Sequence, residues 1–493
     1  MPAIRGGRAC RGREKMSSGT PRTITKRNGS VVPFDKARIQ HVIKKAILAV
    51  EQKPKMDPEK EAAHFADEVV SELRRTRPSA DALHVEHVQD AIVNVLHYDL
   101  ALGEGSFSSK PESLWMAYML YREGHCLVRN GQLKPEHFSP DTRPKERLEE
   151  RRAWNREHDC DTAKGLNNWF KGAQIAELIR AAEERSSAQL TEVAHKIGDM
   201  INEGRLRAVL ITGPTSSGKT STSRKALRFL SEAHPDVKFK ALEVDMYFRD
   251  NKFTEKFQYD VDGQAITDVN FELPETYDIA LLNEHLAELM DGKTVNVPHY
   301  NFKKGTREED TTPFSLAPGE VLLLDCMHAL SPQLTAAIPI ENKFKLYIEP
   351  LTVLSDHDGR PVYFTDVRLL RRMIRDVRMR GYPMANTLWH WHLVRKGERF
   401  ILPYVHSADM VVDTGLPYEL PMLKTHVRDE LLQLLPLFER NRDLFDGHAR
   451  IRRILRLFRQ LRSATGEQEA LVPPDSILRE FIGGSEFFEG PHK

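Results

Sequence analysis

The 493-residue chain is short of several things, and each shortage narrows what it can be. It has four cysteines, Cys10, Cys126, Cys160 and Cys326, with no CxxC pair among them. That excludes a zinc ribbon and a disulfide framework and suits a reducing compartment. It lacks a surplus of either charge: 72 Lys and Arg stand against 71 Asp and Glu, for a formal net +1. A globally basic nucleic-acid binder is therefore not indicated. No apolar run approaches the roughly 18 residues that a membrane span needs. The first 22 residues are rich in Arg and Gly and lack the apolar core of a secretory signal. They read as a disordered tail, or as a start upstream of Met16. A cytoplasmic location is expected, with neither nucleic acid nor membrane as partner. Homo-oligomerisation is left open.

What is present begins at Thr25. "TKRNGSVVPFD" reads as a small hairpin with Asn28-Gly29 at its turn. Ile39, Val42, Ile43, Ala46, Ile47 and Val50 then fall at helical spacing on one face. Asp57-Pro58 has the character of an N-cap followed by a first-turn proline. It opens a second helix with Phe65, Val69 and Leu73 inward. A third helix carries Val85, Val88, Ile92 and Val95, and a fourth lies near Leu114 to Tyr121. Together these make a compact module of about 100 residues. The charged stretch "DTRPKERLEERRAWNREHD" predicts a linker and an exposed helix, since a charge run is usually a solvated face. Helical pattern returns from Gln174 to Asn202.

Strands and helices then alternate. Strands are predicted at Ala208–Thr212, Phe239–Asp245, Val321–Asp325, Phe344–Glu349 and Ala408–Asp413. Helices are predicted at Lys219–Ala233 and Asp366–Arg380, among others. Such alternation implies an α/β fold, a mostly parallel sheet flanked by helices. Ligands of such sheets bind beyond the carboxyl ends of the strands. Residues 420–470 read as helical, and "LVPPDSILREFIGG" as a short ordered coda.

The strongest chemical signal is "GPTSSGKT" at 213–220. Gly213, Pro214, Thr215, Ser216, Ser217 and Gly218 form a loop whose backbone N–H groups can wrap phosphates. Lys219 reaches the β/γ-phosphates, the Thr220 hydroxyl ligates Mg²⁺, and the helix running on through Ser221 adds its positive end. Asp245 and Asp325 end two of the predicted strands. One carboxylate can hold Mg²⁺ while the other takes a proton from an attacking hydroxyl. "RLLRRMIRDVRMRGYP" crowds six arginines together. Arg368, Arg371, Arg372 and Arg375 follow three- and four-residue steps and are expected on one face, as a lid that clamps phosphate. His390 and His392 stand two apart without further ligands at metal spacing, so core or substrate-side packing is expected for them.

Several of these stretches together resemble the uridine kinase/phosphoribulokinase family of P-loop kinases, in particular a bacterial-type nucleoside-kinase branch. They are "GPTSSGKT", "LEVDMYFRD", "NFELPETYDIALLNEHL", "VPHYNFKKGTR", "VLLLDCMHAL" and the arginine run. Further on, "ENKFKLYIEPLT", "PYVHSADMVVDT" and "SILREFIGGS" extend the likeness. "TKRNGSVVPFD", "HVEHVQDAIVNVL" and "AYMLYRE" resemble an ATP-cone, a regulatory nucleotide-binding domain. The expected organisation is a tail over 1–22, an ATP-cone over 23–123 and a connector over 124–173. A P-loop kinase domain over 174–420 and a helical extension over 421–493 complete it.

The resemblance implies ATP as phosphate donor with Mg²⁺, and Asp245 as general base toward a sugar 5′-hydroxyl. It implies Glu272 at the ribose, Tyr300 as a substrate-side aromatic, and Arg372, Arg375 and Arg380 as lid and substrate-side arginines. It places Lys26 and Arg27 at an allosteric ATP or dATP site. Three positions depart from the family pattern. Asp325-Cys326 stands for Glu-Gly, Gly305 for a base-reading His, and Tyr382 for a lid arginine. The reading is an ATP-dependent kinase for a small-molecule hydroxyl, most simply a nucleoside 5′-OH of the uridine or cytidine type, under adenine-nucleotide control. Its rivals are a kinase for another sugar or hydroxylated metabolite, and a non-catalytic ATP-binding regulator.

Overall fold

The structure is a computed structural model. It describes residues 23–26, 29–50, 56–76, 83–102, 114–115, 117–119, 121–122, 145–254, 256–441 and 447–488. The chain divides into two compact units, residues 1–100 with 106–118, and residues 101–105 with 119–493.

In the first unit, β1 (Thr23–Thr25) pairs antiparallel with β2 (Val31–Pro33). The turn between them uses Gly29 at φ +81°, a left-handed conformation that glycine adopts without steric cost. Helices α1 (Lys36–Val50), α2 (Pro58–Thr76) and α3 (Val85–Leu102) follow, and residues 114–115, 117–119 and 121–122 are also helical. Asp57 caps α2 as expected, its carboxylate accepting from the Glu59 N–H at 3.0 Å. Ile39, Ile43 and Ile47, Phe65, Val69 and Leu73, and Val88, Ile92 and Leu96 are all buried, one stripe from each helix. Lys26 lies exposed at the end of β1, and Arg27 falls outside the described residues.

The second unit opens with α4 (Lys145–Glu157) and the long α5 (Ile175–Asn202). The α/β core follows as β3 (Ala208–Thr212), α6 (Lys219–Ala233) and β4 (Lys238–Glu243). Two hairpins come next, each a departure from the simple alternation that the sequence suggests. They are β5 (Lys256–Val261) with β6 (Gln264–Val269), and, after α7 (Ile279–Met290), β7 (Val295–Asn301) with β8 (Thr306–Phe314). The first turns on Asp262-Gly263, both at positive φ, which is the Asp-Gly signature of a tight hairpin. Strands β9 (Glu320–Asp325) and β10 (Lys343–Glu349) are followed by α8 (Phe364–Arg375), α9 (Met384–Gly397) and β11 (Met410–Asp413). Helices α10 (Glu419–Arg440) and α11 (Gly447–Gln460) lead to the C-terminal coda.

The five core strands form one parallel sheet in the order β11-β10-β3-β9-β4. "AVLIT" is unbroken in its hydrophobicity because both faces of β3 are covered. Val209 and Ile211 join Val193, Ile197 and Leu230 of α5 and α6. Ala208 and Leu210 join Leu282, Leu286 and Leu289 of α7 on the other face.

Three expectations are revised. Strand β4 stops at Glu243, and Asp245 lies in a 3₁₀ turn, Val244–Tyr247, beyond it. The arginine helix is α-helical only to Arg375. It continues as one π-helical stretch, Asp376–Arg380, closed by Gly381 at φ +67°. Helix α4 is not solvated all round. Arg151 and Asn155 are buried, the first 3.5 Å from Asp413 and the second donating to the Val353 carbonyl at 2.7 Å. A charge run was a poor guide there because its inner face supplies counterions to a buried carboxylate.

Candidate active site

The octapeptide at 213–220 spans from the end of β3 into α6, with Gly218 at φ +87° as N-cap. A Cβ on Gly218 would stand 2.6 Å from Ile477 Cγ2, so the loop conformation and its close neighbour both demand glycine here. Lys219 Nζ donates to the Gly213 carbonyl at 3.0 Å. The hydroxyls of Ser216 and Ser217 are buried without a partner among the described residues. Buried polar groups normally find partners, so the loop has hydrogen-bonding capacity in reserve.

The arginine helix does not present one face to this loop. Arg368 and Arg371 are 0% exposed and brace it from below. Arg368 pairs with Glu398 and donates to the Thr215 carbonyl at 3.3 Å. Arg371 pairs with Glu419 at 2.7 Å and donates to the Ser217 and Thr414 carbonyls. Of these four, Arg372 and Arg375 are partly exposed. The expectation of a four-arginine lid fails because steps of three and four residues cover a wide arc of helix, and the inner part of that arc is core.

Asp325 lies level with Ile211 of β3 and Glu243 of β4, and Asp245 follows one turn beyond. Asp245 opens to solvent while protein crowds its carboxyl. That crowding raises its pKa, against the opposing hydrogen bond from Tyr277 (3.0 Å) and the charges of Lys219 and Arg380. Asp325 is raised to about 6, by desolvation first, with the Asp245 charge adding and Lys219 opposing. Two carboxylates and a lysine thus share the phosphate edge of the sheet. The donor set fits Mg²⁺: a Thr220 hydroxyl and an Asp325 carboxylate are hard oxygens, and this ion keeps waters and substrate phosphates as its other ligands. No cluster of three or more His, Cys, Asp or Glu side chains suited to a metal exists among the described residues.

The side of the site facing the loop is built from side chains of separate elements. Arg372 donates to Glu272 at 3.0 Å and to the Thr215 hydroxyl of the loop at 3.2 Å. His390 Nδ1 stands 2.9 Å from both oxygens of Asp268, and its Nε2 stands 3.4 Å from Glu272. Burial alone would raise Glu272; the His390 hydrogen bond and the Arg372 charge override it and hold the carboxyl well below the usual range. Burial pulls His390 down, but the hydrogen bonds to Asp268 and Glu272 more than offset this and leave it raised. His392 points away, its Nδ1 2.8 Å from the Trp389 carbonyl, in the core role expected.

Tyr300 donates to Asn251 Oδ1 at 2.8 Å and forms a three-ring cluster with Phe248 and Phe302. Gly305, at φ +69°, leaves room that the Asn251 side chain fills. Arg380 is about half exposed and pairs with Asp376 at 3.0 Å; Tyr382 is exposed. Sequence reasoning missed Tyr277, Asp268, Asn251 and Glu480 as neighbours of the site. Tyr277 and Glu480 stood inside quoted motifs, but no spacing rule ties either to the loop.

Residues 208–419 match the model of the Phosphoribulokinase / Uridine kinase family, and residues 22–125 match the ATP cone domain. A uridine kinase of Macrococcus caseolyticus is 28% identical over 210 residues, covering 42% of this chain and 86% of that protein. One from Staphylococcus aureus is 29% identical over the same length and coverage. A solved structure described as a possible uridine kinase from Bacillus stearothermophilus aligns over 44% of this chain and all of that one, at 14% identity and a TM-score of 0.27. No helix among the described residues is long and apolar enough to cross a membrane.

Proposed function

We propose, from the premise that this chain is a P-loop kinase carrying a domain of the Phosphoribulokinase / Uridine kinase family behind an ATP cone, that it transfers the γ-phosphoryl group of ATP to the 5′-hydroxyl of a nucleoside. The observation that carries the reading is Asp245. It is open to the cleft, held by the Tyr277 hydroxyl, and stands within the electrostatic reach of Lys219 and Arg380. A non-catalytic sensor has no need of a base in that place.

In this mechanism the loop amides and Lys219 hold the triphosphate, and Thr220 and Asp325 would hold Mg²⁺. The ion, when bound, offsets the charge of the phosphate oxygens. Asp245 accepts the proton of the attacking hydroxyl, helped by a pKa above the ordinary carboxylate value. Glu272 receives sugar hydroxyls, and Tyr300 with Phe302 offers an apolar wall to the base. Arg372 and Arg375 stabilise charge on the transferring group and, with Arg380, exclude water. The reaction takes place in the cytoplasm, and Lys26 and Arg27 of the ATP cone bind a regulatory adenine nucleotide.

The test is product formation from MgATP with a panel of nucleosides and free sugars. Uridine or cytidine should turn over, and Asp245→Asn should lower kcat by roughly 10²–10⁴ with MgATP binding retained. Turnover of a sugar but of no nucleoside would reject the acceptor assignment. Deleting residues 1–123 should abolish any effect of dATP on rate; a truncated enzyme that still responds places the regulatory site elsewhere.

A further inference from the structure

The C-terminal coda lies across both elements that handle phosphate. Toward α6, Ile477 sits over Gly218, and Asp475 pairs with Lys225 at 2.8 Å and Arg228 at 3.1 Å. Toward α8, the Phe481 ring lies 5.1 Å from the Arg371 guanidinium, and the Arg378 guanidinium packs against Gly483. Between these anchors is Glu480, only 3% exposed. Its Oε2 accepts from the Ser221 N–H at 3.3 Å and from the Ser221 hydroxyl at 2.8 Å. Its Oε1 stands 3.7 Å from Arg375 Nη1.

These partners are also groups that a phosphate would take. Ser221 is the third residue of α6, so its N–H has no intrahelical acceptor and belongs to the positive end of the helix. A P-loop offers such groups to a nucleotide phosphate. Arg375 has a buried Nε without a partner among the described residues and one acid at the limit of pairing distance. Two donors suited to phosphate therefore hold a carboxylate, and Lys219 is turned onto its own loop.

We propose that Glu480 is a resident stand-in for a nucleotide phosphate, so that the coda and ATP compete for Ser221 and Arg375, and the coda lifts when ATP binds. The inference rests on reading the P-loop as the ATP site. Two anions cannot share these donors without strong mutual repulsion. Glu480 keeps Arg375 and the helix end from standing unpaired in the empty enzyme, and it raises the ATP concentration needed to fill the site.

The test uses the full-length chain. Calorimetric titration with MgATP, and with inorganic tripolyphosphate as a probe lacking the nucleoside, should show Glu480→Gln binding both about tenfold more tightly than wild type. Hydrogen–deuterium exchange on the wild-type protein, which needs no variant, should show faster exchange of residues 476–483 when MgATP is added. Unchanged or weaker binding by Glu480→Gln, or greater protection of the coda with MgATP, overturns the competition and makes Glu480 a fixed part of the site. If wild type and variant both bind neither probe, the ATP-site reading itself falls, and the proposal with it.

Discussion

The two halves of the cleft are made differently. The half proposed to hold the donor is one unbroken octapeptide that offers mostly backbone amides, set by the β3–α6 junction and held from beneath by Arg368 and Arg371. The half proposed to hold the acceptor is assembled from side chains of a 3₁₀ turn, two hairpins, a loop and two helices: Asp245, Asp268, Glu272, Tyr300, Arg372 and His390. The first can bind a triphosphate whatever most of its side chains are. The second depends on the identity of each side chain. One half is thus suited to staying fixed and the other to varying.

The sharpest way to break this contrast is to attack the donor half from below. Arg371→Met removes a buried cation and leaves Glu419 buried and unpaired, which should cost about 3–5 kcal/mol in urea unfolding. A loss under 1 kcal/mol would show that the brace is dispensable. Next in size, Lys219→Met should lower kcat by roughly 10²–10³ for every acceptor alike, whereas Glu272→Gln should raise KM for the acceptor and leave KM for ATP unchanged. If both variants affect the two substrates equally, the division into halves is wrong.

The smallest effect concerns pH. Asp325 titrates at about 6 in the folded chain against an ordinary value of 3.8. The unfolded chain releases that proton first, so this group's contribution to stability falls as pH rises from about 4 to about 6 and is level above. Asp325→Asn should therefore raise Tm of the metal-free protein more at pH 7.5 than at pH 4.5. An equal shift at both would mean that the carboxyl is not strained.

The same contrast decides what could be read in the sequence. The strand before the loop, the loop and α6 were legible to the residue, because a fully buried strand, a Gly-rich turn and an amphipathic helix each leave a local signature. The parallel sheet followed from alternation. The hairpins β5–β6 and β7–β8 did not, although Asp262-Gly263 marked one turn, since their exposed faces break the apolar pattern. Arg368 and Arg372 look alike in a helical projection. Only the position of Glu398 and Glu272, 30 residues after and 100 residues before, separates brace from site. Glu480 was out of reach for the same reason: its partner Ser221 is 259 residues away.

Arg372 has one further consequence. A single guanidinium spans from the loop hydroxyl of Thr215 to the carboxylate of Glu272. An acceptor whose hydroxyls engage Glu272 weakens that tether and frees the cation to turn toward the triphosphate, and by linkage a bound triphosphate favours the acceptor to the same degree. The steady-state signature is synergy: the apparent KM for ATP should drop as acceptor approaches saturation, and Arg372→Met, which can donate to neither group, should make the two substrates indifferent to each other.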